Sequence, residues 1–239
     1  MPRKVSIARA LAHKNPWWIS RSQQRQWLKD VSRYALQTGQ VIAAWNDLQG
    51  EYQRWFIRLA NEEKAPIGAA LWHTLSNDQT QRDLLEAVLE VAPLGFGRKN
   101  ARLKTNLLWA LKETRRLARY RNFAAHLPVD VEYAAGQRRV VPDAKTAKPT
   151  AIRALSFIGH RRLFRLLRGD LFVLASYVSA HYAVRFEISP GVFPNRPRLH
   201  TDEAVRKSVS QRGRRDCILD KASSGYYVER HRRFPCRSL

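Results

Sequence analysis

The chain has 239 residues, 44% of them hydrophobic and seven of them Trp, enough to bury the core of one mid-sized domain, which excludes wholesale disorder. It carries 43 Lys and Arg against 20 Asp and Glu, a formal net charge of +23, so polyanions are the partners its field favours. No apolar run is long enough to cross a bilayer, and Cys217, Cys236 and His231 lack the paired short spacings of a metal site or a disulfide framework.

Basic residues outnumber acids in each of the stretches 1–126, 127–186 and 187–239, so the charge is not confined to a tail. Residues 1–21 read as a flexible basic arm that includes Trp17-Trp18. No secretory signal precedes the domain, which sets a cytoplasmic expectation. From Trp27 an apolar stripe (Val31, Tyr34, Val41, Trp45, Leu48, Tyr52, Trp55, Leu59) steps by three and four, which predicts helix over 22–62. Gly39 and Gly50 are its weak points and predict two helices or one bent one. A short helical turn over 68–75 follows Pro66. Ser76 and Gln79 then have the spacing of a capping box for a helix whose Leu84, Leu85, Val88 and Leu89 face inward and which stops before Pro93.

After a turn at Gly95-Phe96-Gly97 comes a helix from about Arg98 to His126, ended by Pro128. On a wheel of about 100° per residue, Leu103, Leu107, Leu111, Leu117, Ala118 and Ala125 share one arc. Arg98, Arg102, Lys112, Arg115, Arg116 and Arg119 share the opposite one. Nine Lys and Arg meet one acid, Glu113, in this helix, a single-sign face that forfeits i,i+4 pairing and is a candidate surface for nucleic-acid phosphates. Beyond it, 129–133 and 138–141 read as a small β-hairpin. A last helix over 151–186 is expected to bury Leu155, Ile158, Leu163, Leu166, Phe172 and Val173. The Pro-rich, aperiodic stretch 187–239 reads as a low-order, mostly disordered basic tail.

Arg121 falls five turns after Leu103, on the centre of the apolar arc, where a guanidinium must meet a carboxylate, an interface or a bound anion. His126 falls about 140° from Leu103, at the frayed end of the helix. His160, with Arg161, Arg162 and Arg165, forms a second basic cluster. The segment Arg121-Asn122-Phe123-Ala124-Ala125-His126, late in a helix of an all-α domain, resembles the HEPN domain family, whose hallmark is an Arg, four to six intervening residues and then a His, often with a polar residue directly after the Arg. Trp45-Asn46-Asp47-Leu48 and Trp72-His73-Thr74-Leu75 with Gln81-Arg82 are also similar to segments of bacterial proteins of this kind.

The resemblance implies an all-α, HEPN-like bundle of four to five helices over 22–186. It also implies a homodimer that cuts RNA without a metal or other cofactor, as in toxins and antiviral defence proteins, with scope for a regulatory or antitoxin partner. His126 would then be the acid–base group, Arg121 the phosphate clamp and Asn122 an orienting hydrogen-bonder. Two rivals stand beside it: a non-catalytic HEPN-like dimer that binds nucleic acid or regulates, and a plain helical structural protein.

Overall fold

The computed structural model describes residues 20–60, 65–91, 98–126, 129–134, 137–142, 157–186, 192–203 and 205. The expected N-terminal arm, the Gly95-Phe96-Gly97 turn and the chain from 206 onward lie outside the described residues. The architecture is all-α: α1 (Arg21–Ala60), α2 (Ala65–Thr74), α3 (Asp78–Val91), α4 (Arg98–His126) and α5 (Phe157–Phe186). Between α4 and α5, β1 (Val129–Ala134) pairs antiparallel with β2 (Gln137–Pro142), Val129 opposite Pro142 and Ala134 opposite Gln137.

The 40 residues of α1 form one helix that runs through both Gly39 and Gly50. Each glycine costs about 1 kcal/mol relative to Ala. Burial of Tyr34, Val41, Trp45, Leu48, Tyr52 and Trp55 on a single stripe outweighs both, at about 1.5–3 kcal/mol for each large apolar side chain. A reciprocal capping box starts the helix: Ser20 Oγ accepts the Gln23 N–H, and Gln23 Oε1 accepts the Ser20 N–H. The expected box at Ser76 and Gln79 does not form. Asn77 caps α3 instead, its Oδ1 accepting the Thr80 N–H at 2.8 Å, and Gln81 turns back to the Trp72 carbonyl.

Side-chain pairs fix the helix directions. Tyr34 meets Phe164, Arg168 donates to Gln40 and Trp55 donates to the Val178 carbonyl, so α1 and α5 run parallel. Tyr52 bonds Thr114, while Phe123 meets His160 and Trp109 meets Tyr177, so α4 runs against both. Phe56 against Trp72 and Gln53 against His73 set α2 antiparallel to α1. Arg115 with Asp83 and Arg121 with Asp78 set α3 antiparallel to α4. Helix directions therefore alternate along the chain, and α1 packs against all four other helices, α5 most extensively. The C-terminus of α4 therefore lies at the same end as the N-terminal halves of α1 and α5.

Two expectations fail on packing. Phe172 and Val173 are exposed, because α5 turns Phe164, Leu167, Leu171, Leu174 and Val178 inward. The stretch after 187 is not uniformly loose: Phe193 and Leu199 pack against the core, and Thr201 and Val205 are buried. Asp170, itself buried, accepts the His200 and Thr201 N–H groups and the Thr201 hydroxyl; Phe193 stacks on His181. Arg196 donates to Asn106 and lies over the Trp109 ring. The segment lacks periodicity because side chains of α4 and α5 hold it, not its own backbone ladder.

Candidate functional site

The helical wheel placed Arg121 among apolar neighbours, and the structure supplies its counter-charge. Arg121 Nη2 lies 2.8 Å from Asp78 Oδ2, and the same oxygen accepts the Trp45 indole N–H at 2.7 Å. Arg121 Nη1 donates to the Asn122 side-chain oxygen at 3.0 Å, and its guanidinium sits over the Trp45 ring. Arg82 of α3 lies over the same ring. It is buried, its Nε and Nη1 make no hydrogen bond among the described residues, and desolvation holds its pKa below the ordinary arginine value. Trp45 is thus a buried ring that meets two cations, each contact worth about 0.5–2 kcal/mol depending on how far the cation is desolvated.

These groups wall a cleft of about 640 Å³ between the start of α3 and the last turns of α4, with Asn77, Gln79, Thr80 and Asn122 at its polar edge. Arg121 and Asn122 line it. His126, the last residue of α4, is exposed and is not part of that lining. Five residues on an ideal helix separate it from Arg121 by about 7.5 Å of rise and about 140°. One chain therefore brings Arg121 and Asn122 together and leaves His126 apart.

The basic arc of α4 is more committed than its composition suggests. Arg115 is bonded to both Asp83 and Glu86 of α3, and those hydrogen bonds, Glu86 first, raise its pKa. Arg116 is bonded to Glu113 and Asp202, and Arg119 to Asp202, which also accepts the Tyr120 hydroxyl. Burial alone would raise the Asp202 pKa, but Tyr120 and the two arginines outweigh it and hold it below the usual carboxylate range. Burial, with Asp202 beside it, pushes Tyr120 up to about 12. Arg102 donates a long bond to Asn195, and Lys112 is exposed. Arg98 is the first residue of α4. Apart from Glu113, the acids that meet these arginines come from residues 83, 86 and 202, too far in sequence for any local pattern to reveal.

His160 is buried and stacked on Phe123 at 5.1 Å, so it belongs to the core and not to the basic cluster beside it. Asp78, Arg82 and Asn77 had no site role in the sequence, and Trp45 was read there only as part of the apolar stripe of α1; the turn before α3 and the two tryptophan-containing segments were the nearest signals. Among the described residues no cluster of His, Cys, Asp and Glu could hold a metal ion, and no helix is long and apolar enough to cross a membrane. No family model, curated protein or solved structure matches this chain.

Proposed function

We propose that this chain is a HEPN-like RNA-binding protein acting as a metal-independent endoribonuclease in a homodimer. The observation that carries the reading is the pairing of Arg121 with Asn122 on the wall of a polar cleft at the end of α4, one and a half turns before His126. A guanidinium has five N–H donors, and the bonds to Asp78 and Asn122 fix its plane while leaving donors for a phosphate. In the reaction the RNA 2′-OH attacks its adjacent phosphorus. His126 takes the hydroxyl proton, Arg121 stabilises the charge on the phosphorane, and the P–O5′ bond breaks as the leaving oxygen is protonated. The products are a 2′,3′-cyclic phosphate and a 5′-hydroxyl. A two-fold arrangement sets a second His126 opposite the first, so one acts as base and the other as acid. Arg98, Arg102 and Lys112 are the α4 cations assigned to RNA, with Arg115, Arg116 and Arg119 available once their carboxylates are displaced.

The test is cleavage of single-stranded RNA in excess EDTA, with the ends identified by mass. Cyclic phosphate and 5′-hydroxyl ends support the reading; loss of cutting with chelator and recovery with Mg²⁺ refutes it. A second reading, a non-catalytic nucleic-acid-binding or regulatory dimer, is favoured by the Asp78–Arg121–Trp45 contacts, which give Arg121 a structural reason to exist.

A further inference from the structure

Besides Arg102 and Lys112 of the α4 arc, cations without a carboxylate partner among the described residues gather on α1 and α5. In the first half of α5, Arg162 and Arg165 are exposed, Arg161 is half-buried with an unbonded Nε, and Arg168 is exposed and anchored by Gln40. No acid occurs in α5 before Asp170, and none of these four forms an ion pair among the described residues. Arg161, Arg165 and Arg168 fall within about 60° on one helical stripe that rises about 10 Å. In α1, Arg21, Arg25, Lys29 and Arg33 are exposed at i, i+4, i+8 and i+12, with Asp30 the single acid before Asp47.

The bundle brings the two stripes to one end. Because Tyr34 meets Phe164 and Gln40 meets Arg168, Lys29 and Arg33 lie about level with Arg161 and Arg162. Phe123 stacks on His160, so His126 lies within about one turn of the same level. The eight cations of these two stripes, with one acid among them, lie toward that end, and none of the eight forms an ion pair among the described residues. A phosphate arriving at Arg115, Arg116 or Arg119 must first compete with Asp83, Glu86, Glu113 or Asp202.

We infer that the N-terminal halves of α1 and α5 form the surface that carries the phosphate backbone of a single-stranded RNA toward the α4 end where His126 stands. The contact is electrostatic: the stripes offer positive charge, so affinity is strongly salt-dependent and nearly sequence-independent. The inference takes from the proposed function only the identity of the polyanion; it does not require that the chain cut.

The test uses the full chain and a labelled single-stranded RNA of about 20 nucleotides, with affinity read by anisotropy across a salt series. The Arg162→Gln, Arg165→Gln, Arg168→Gln variant should lower the log–log salt slope by about 2, three contacts at about 0.7 each. The corresponding triple Lys variant, which keeps the charge and controls for folding, should keep the slope. An unchanged slope in the Gln variant overturns the inference. So does a loss confined to anionic phospholipid vesicles with RNA binding intact, which would make the surface a membrane-facing one. If the Gln variant loses RNA while His126→Ala leaves cutting untouched, the surface stands and the catalytic reading falls. If wild type binds no RNA at any salt, both fall.

Discussion

Ending the chain at Gly191 tests whether the segment over α4 and α5 is part of the fold. It removes the His200 and Thr201 N–H groups, at 2.9 and 2.7 Å from the Asp170 carboxylate, and the Thr201 hydroxyl at 2.5 Å. Hydrogen bonds to a charged group contribute about 1.5–3 kcal/mol each, and water recovers part of that once the carboxylate is uncovered. Loss of buried Val205 adds about 1.5 kcal/mol or more. Phe193 on His181 and Arg196 on Trp109 go with it. The sum is about 5 kcal/mol. At about 2–4 °C per kcal/mol for a chain of this size, the melting temperature should fall by about 10–20 °C. Thermal unfolding followed by circular dichroism reads this directly. A shift below about 3 °C would refute the argument and restore the low-order tail that the sequence suggested.

Three further expectations follow from particular contacts. A Cβ added at Gly39 or Gly50 meets nothing within 4 Å, so either Gly→Ala change should stabilise the chain by about 0.5–1 kcal/mol, read by urea denaturation. His181 is buried, donates from Nδ1 to the Tyr177 carbonyl and accepts the Asn106 amide at Nε2, and burial lowers its pKa. The unfolded chain takes up that proton first, so the stability it contributes is full above about pH 6.5 and is lost as pH falls toward the depressed value. His181→Phe should flatten the fall in melting temperature over that window. Asp78→Asn keeps an acceptor for Trp45 but removes the charge facing Arg121; with both side chains partly exposed, a double-mutant cycle with Arg121→Gln should return about 0.5–1 kcal/mol of coupling.

What could be read from the sequence was whatever a single helix determines. The limits of α4, the inward row Leu103, Leu107, Leu111 and Leu117, and the need of Arg121 for a counter-charge all follow from a period of 3.6 and one proline. The identity of that counter-charge does not. Asp78 lies 43 positions earlier and meets Arg121 only because α3 runs against α4. Phe172 and Val173 were misplaced because α5 is apolar on more than one face, so its wheel does not say which side the bundle covers. The single-sign arc of α4 looked free because its acids come from α3 and from residue 202. The capping error was one residue: Ser76 and Asn77 are both good caps, and the helix began after the second.

The most direct test of the proposed function is single-turnover cleavage of RNA by His126→Ala in the 239-residue chain, beside its RNA affinity and melting temperature. Cutting should be lost, with affinity and stability close to wild type, because His126 is exposed at a helix end. Cutting at the wild-type rate by His126→Ala would contradict it.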